Sequence, residues 1–243
     1  MALALADRGY DVAVHYAGSA AGATEVADLI RAKGRQAVTL QADLLDVTAT
    51  DDLVGRAVAG LGGPLTVLVN NASIFEHDDI HTATVKSWDR HMGSNLRAPL
   101  MLTQHFAAQV PDPVIDEGGE PVAQGLVVNM LDQRVHKLTP EFMTYTLAKM
   151  GLWTLTRTAA QALAPRIRVN GIGPGPTLKG ARQSPVHFAA QRAATILGSG
   201  ADAADICTAL LYLLDARAVT GQMIAVDGGQ HLAWQTPDVL GLE

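Results

Sequence analysis

Short runs of β-branched and apolar residues alternate with helical stretches along nearly the whole chain, and this alternation limits the possible folds more than any other feature. Runs with strand character lie at 11–16 (DVAVHY), 36–41 (QAVTLQ), 65–70 (LTVLVN), 125–130 (GLVVNM), 167–172 (IRVNGI) and 223–227 (MIAVD). Between them the pattern predicts helices over 19–34, from about Thr48 to Gly62, from about Val85 to Val110 with a bend or break at Pro99, from Pro140 onward, and over 202–215. Strand, helix, strand repeated with short loops is the pattern of a doubly wound, Rossmann-like parallel sheet of the α/β class. The 243 residues fit one large domain with a substantial core, and no internal repeat or boundary divides 1–243. Two stretches interrupt the rhythm. PDPVIDEGGEPVAQ (111–124) is expected to be a surface insertion, and GPGPTLKGARQSP (173–185) a Gly/Pro-rich loop at the ligand-binding edge of the sheet, placed to act as a lid.

Composition excludes several classes of function. The hydrophobic fraction of 48% suits buried parallel strands, and no apolar run reaches the ~18 residues of a membrane span. A net charge of −6 without a Lys/Arg stripe makes nucleic acid and anionic membrane poor partners, leaving a small-molecule substrate. The single cysteine, Cys207, rules out an internal disulfide framework, fits a reducing cytoplasm, and is expected to be a small core residue. His77 and His81 share i,i+4 spacing but have no suitably spaced third ligand, so they are assigned to the surface and no metal site is expected.

The chemistry centres on Tyr145 and Lys149. They lie four apart in a segment of helical periodicity, so they share one face. An ammonium beside a phenol favours the phenolate, and a tyrosine tuned downward in this way can exchange a proton near neutral pH. Asp132 ends the preceding strand-like run thirteen residues before Tyr145, so a strand end and a helix face can converge on one pocket. Alone, Tyr-x-x-x-Lys also describes an ordinary helix with a half-buried tyrosine and a solvated lysine.

The further landmarks resolve that ambiguity. QADLLD follows one strand and VNNAS the next. SNL lies in the following helix, then come Tyr145-x-x-x-Lys149, RVNGIGPGPT and VTGQMIAVDGG. In this order and spacing the chain resembles the short-chain dehydrogenase/reductase family over essentially its whole length. The resemblance implies that Tyr145 is the proton donor or acceptor, and that Lys149 lowers its pKa and holds the nicotinamide ribose. It implies that Asn95 supports a water relay to the lysine, and that Asp43 and Leu44 flank the adenine. Asn71, Ala72 and Ser73 would line the adenosine ribose and the path to the nicotinamide, and Pro174, Gly175 and Thr177 would cradle the nicotinamide and its amide.

Two departures from the common pattern refine the expectation. Asp132 stands where most members of the family have serine, and Asn70-Asn71-Ala72-Ser73-Ile74-Phe75 precedes it; both resemble the pteridine reductase and dihydromonapterin reductase branch. In that branch the phenylalanine stacks a flat pterin against the nicotinamide, which would make Phe75, Asp132 and Tyr145 substrate-binding. A carboxylate accepts hydrogen bonds from an amino-pyrimidine, and an aromatic face suits a flat heterocycle. The alternatives are that Phe75 closes a hydrophobic pocket and Asp132 caps a loop, with a keto or aldehyde compound as substrate. The strand end at His15 to Ser19 has hydroxyl and imidazole groups but no carboxylate, which suits a 2′-phosphate and hence NADP(H).

The second departure is that ALALADRGY at the start of the chain matches the end of the family's first helix, so the first strand and its Gly-rich turn are expected to be missing. Its place is between DVAVHY and LTVLVN, and its absence separates those neighbours by roughly 10 Å. A chain truly lacking this strand would bind dinucleotide weakly and be of poor stability, and could be a catalytically silent scaffold. A homo-oligomer, dimer or tetramer, is expected through the long helices, with Leu152, Leu155 and Ala159 as the apolar positions on the Tyr145 helix.

Overall fold

The computed structural model describes residues 1–180 and 183–235. The expected alternation is present: α1 (Ala2–Asp7), β1 (Val12–Tyr16), α2 (Ala20–Ala32), β2 (Ala37–Gln41), α3 (Val47–Leu61) and β3 (Val67–Asn70). After these come α4 (Val85–Met92), α5 (Ala98–Gln109), the two-residue strands β4 (Val114–Ile115) and β5 (Pro121–Val122), and β6 (Gly125–Met130). The remaining elements are α6 (Met143–Leu163), β7 (Ile167–Pro174), α7 (Pro185–Ala193), α8 (Ala203–Asp215) and β8 (Met223–Val226).

Strands β3-β6-β7-β8 form a parallel sheet in that order, and β1 pairs with β2 in a second parallel pair. β6 sits in the middle and is buried on both faces, which accounts for its unbroken apolar run. Leu126, Val128 and Met130 pack with Ile206, Leu210 and Leu213 of α8. Val127 faces the other way, toward Phe106 of α5 and Ala159 and Ala160 of α6. This period-two partition makes the three-layer sandwich.

Between β1 and β3 no ladder forms. A cavity of about 700 Å³ occupies the interval, lined by Val12, Val14, Val67 and Val69 and closed by Met1 and Leu5. This is the interval where the family resemblance places its first strand. The 111–124 insertion is an exposed antiparallel hairpin, β4 with β5.

Three expectations need correction. The irregularity in the long helix is not centred on Pro99, which is the second residue of α5 in a helix that continues from the preceding segment. It is a π-helical segment, Gly93–Arg97, one turn earlier. Helix α7 was not anticipated; it opens inside the Gly/Pro-rich loop, where Ser184 accepts the N–H of His187 as its cap. Leu152 and Ala159 are not on a subunit face: they are 1% and 9% exposed and pack inward, with Leu155 partly buried beside them. Cys207 is half-buried on α8. No helix among the described residues is long and apolar enough to cross a membrane. Part of the 173–185 loop (181–182) and the tail at 236–243 lie outside the described residues.

Candidate active site

The site is assembled at the carboxyl ends of β3 and β6 by helix α6. Amides fix the relation between these elements. Asn70 and Asn129 are directly paired across the ladder, and the Asn70 amide donates to Asn129 Oδ1 at 2.8 Å. Asn129 in turn donates to Thr156 Oγ1 on α6 at 2.9 Å, and Thr156 donates to the Leu152 carbonyl. Buried amides impose a register because any slip leaves them without partners.

On this frame Tyr145, Lys149 and Asp132 converge. The Tyr145 hydroxyl donates to Asp132 Oδ2 at 2.8 Å, and the Lys149 ammonium donates to the Met130 carbonyl at 2.7 Å. Lys149 lies 5.6 Å from the centre of the Tyr145 ring. Tyr145 and Lys149 are deeply buried, 5% and 2% exposed, and Asp132 is partly buried beside them. Asp132 also accepts the Arg134 N–H through Oδ1, so its loop-capping role and its contact with Tyr145 both hold.

The electrostatics differ from the sequence expectation. The Tyr145 phenol is held well above its ordinary value, first by burial and then by the charge and hydrogen bond of Asp132; Arg134 and Ser73 pull weakly the other way. Burial instead lowers Lys149 to about 8, partly offset by Asp132. Burial also raises Asp132 above the usual carboxylate range. The phenol therefore stays protonated and is disposed to act as an acid, and the lysine is the group tuned toward neutrality.

Phe75 stands beside this cluster, edge-on to the Tyr145 ring at 4.7 Å. Sequence reasoning missed its neighbour Phe142, which stacks on it face to face at 4.3 Å with planes within 6°. Arg134 lies over the Phe142 ring at 4.9 Å. Phe142 is the only described non-glycine residue with positive φ (φ 56°), a strained position immediately before α6. Its spacing of three from Tyr145, one helix face, was the available signal.

Asn95 is fully buried in the π-helical segment, and both ends of its amide hold Ile74: Oδ1 accepts the Ile74 N–H and Nδ2 donates to its carbonyl, each at 2.8 Å. Its side chain thus fixes the loop carrying Ser73 and Phe75 and makes no bond to Lys149. His15, Leu44, Asn71 and Ala72 come together as lining of the cavity between β1 and β3. His15 does not point freely into a phosphate pocket: its Nε2 donates to the Ala42 carbonyl at 2.9 Å. Leu44 is 7% exposed and packs in the core. Asp43 is exposed, and its carboxylate accepts the Leu45 N–H. Ser19 occupies the start of α2 with no side-chain cap bond.

Pro174, Gly175 and Thr177 form the rim after β7, where the Thr177 hydroxyl donates to the Gly175 carbonyl. A Cβ at Gly175 would lie 2.6 Å from that of Asp227, so only glycine fits. Asp227 closes the tight turn after β8 by accepting from Gly229 and His231. His77 and His81 lie in irregular chain, where i,i+4 spacing aligns nothing; His77 meets the edge of Phe142.

A buried tyrosine and lysine with a partly buried carboxylate over the edge of a parallel sheet define an α/β oxidoreductase site. A family profile described as Enoyl-(Acyl carrier protein) reductase matches residues 1–231. A structure of FolM Alternative dihydrofolate reductase 1 from Brucella canis complexed with NADP is 42% identical, with a TM-score of 0.89, covering 98% of this chain and 90% of that one. A short chain dehydrogenase from Burkholderia cenocepacia J2315 in complex with NADP is 29% identical, with a TM-score of 0.84, covering 94% and 91%. The 3-oxoacyl-[acyl-carrier-protein] reductase FabG of Staphylococcus aureus is 30% identical over 238 residues, 96% of this chain and 92% of its own. The chain belongs to the short-chain dehydrogenase/reductase family.

Proposed function

We propose that the protein is an NADPH-dependent reductase of a pteridine-type substrate, a dihydropterin, adding hydride to a C=N carbon. The observation that carries this reading is the Tyr145 hydroxyl on Asp132 Oδ2 at 2.8 Å, with the half-exposed Phe75 ring 4.7 Å from Tyr145. The 42% identical Brucella protein, described as an alternative dihydrofolate reductase, supports the same substrate class.

The residues present fit a dinucleotide. Lys149 is a buried ammonium with three donors, of which one is engaged among the described residues, by Met130, leaving two for ligand hydroxyls. Gly175 keeps the rim after β7 free of any side chain. Asn71 and Ala72 would line the adenosine side and Ser73 the path to the nicotinamide. Ser19, at the amino end of α2, would meet a 2′-phosphate, where helix amides favour negative charge.

When bound, NADPH supplies the hydride. Tyr145 gives its proton to the substrate nitrogen and is reprotonated by a proton taken up from solvent, while Asp132 orients the substrate by accepting a hydrogen bond from the amino-pyrimidine. Lys149 holds the ribose and keeps a positive charge beside the developing phenolate. Phe75 and Phe142 provide the apolar wall against which a flat ring is oriented. Assembly into a dimer or tetramer is part of the proposal.

The FabG relative favours a second reading, a keto or aldehyde substrate. NADPH oxidation with dihydrobiopterin and dihydrofolate, set against a panel of ketones and aldehydes, separates the two. The expected result is turnover on the pterins that falls by roughly 10²–10⁴-fold in Tyr145→Phe, the usual range for a positioned acid. Turnover on the carbonyl panel alone rejects the pteridine reading, and undiminished activity of Tyr145→Phe rejects its role.

A further inference from the structure

Helix α6 carries the proton donor but has no cap of its own: Phe142 precedes it and offers no side-chain oxygen. The cap comes from a residue 66 positions earlier. Asp78, 2% exposed, accepts the Thr144 N–H through Oδ1 at 3.1 Å and the Thr144 hydroxyl through Oδ2, while its carbonyl accepts the Met143 N–H at 3.2 Å. A carboxylate at this position satisfies orphan amides and complements the positive end of the helix.

The network continues to α4. His91, fully buried, places Nδ1 2.7 Å from Thr144 Oγ1, and the Glu76 N–H lies 3.2 Å from His91 Nε2. Proton counting fixes every direction. The threonine hydroxyl has one proton and spends it on Asp78, a carboxylate that burial would raise but that the bonds from Thr144, with a further one from Ser87, hold below its usual range. His91 Nδ1 must therefore donate to Thr144, and Nε2, left with its lone pair, must accept from Glu76. Burial holds His91 below its ordinary value, which keeps it neutral, as this pattern requires. Arg90, next to His91, grips the Glu76 carboxylate with two bonds of 3.1 and 2.8 Å.

We infer that Asp78, Thr144 and His91 are positioning residues of the reductase, a directed chain Glu76 N–H to His91 to Thr144 to Asp78 that locks the Phe75 loop to the first turn of the Tyr145 helix. Glu76 follows Phe75 and Thr144 precedes Tyr145, so the chain couples the aromatic wall to the proton donor. His91 also meets the Tyr145 ring edge-on at 5.9 Å.

Thr144→Val keeps the shape and deletes the hydroxyl; Thr144→Ser restores it. The expected result is a fall in kcat of at least about ten-fold in Thr144→Val, with KM for NADPH changed less than about two-fold, and recovery to within about three-fold in Thr144→Ser. Wild-type kcat in Thr144→Val, or equal impairment of both variants, overturns the inference. The kinetic arm rests on the proposed reductase activity. The second arm does not: ¹⁵N-histidine NMR of the unaltered protein should show His91 neutral and protonated at Nδ1. Protonation at Nε2 instead rejects the relay even if pterin turnover is observed. Absence of pterin turnover beside the Nδ1–H form rejects the substrate reading alone.

Discussion

At the scale of single residues, burial outweighs the neighbouring cation. The sequence places an ammonium beside a phenol and predicts a lowered tyrosine; the structure buries both and bonds the phenol to a carboxylate, which raises it. Spacing shows which side chains share a face but not how much water they retain, and desolvation decides the sign here. Lys149 offers a direct check. Its folded value, about 8, lies below the ordinary 10.5, so between these limits the unfolded chain binds the extra proton and stability rises with pH. Tyr145 acts oppositely only above its ordinary value of 10. Chemical denaturation of wild type and Lys149→Met at about pH 7.5 and about pH 9.5 should show a rise in the wild type that the variant lacks. An identical rise in both assigns it to other groups.

At the scale of elements, strands and helices were legible wherever a period of 2 or 3.6 ran for long enough, and the Tyr145–Lys149–Asp132 convergence followed from them. What stayed hidden depends on partners distant in sequence. The π-helical segment carries Asn95 to the Ile74 backbone and ends two residues before Pro99, the conspicuous local signal. Phe142 and Asp78 look like ordinary loop residues until α6 is laid beside them. The two facing strand edges give a prediction of their own. β1 and β3 each pair on one side only, so their slot-facing amides have no ladder partner. Hydrogen exchange should be fast at alternate amides of Val12–Tyr16 and Val67–Asn70 and slow at Val127, Val128 and Val169, which are fully buried. Uniform protection across β1 and β3 would mean that the slot is bridged.

For the whole molecule, apolar side chains remain uncovered beside the site: Trp88 on α4, Leu100 on α5 and Leu147 on α6 are 45%, 41% and 46% exposed. Exposed apolar groups on adjacent helices favour a symmetric self-contact, so light scattering should give two or four times the chain mass. A monomer at all concentrations rejects this. The borrowed cap on α6 has a consequence for folding. The first turn of that helix depends on a carboxylate delivered from far upstream, so catalytic competence requires this long-distance closure as well as the helices themselves. A population that has formed its helices but not this closure would show native circular dichroism and no turnover, and recovery of activity would lag behind recovery of secondary structure.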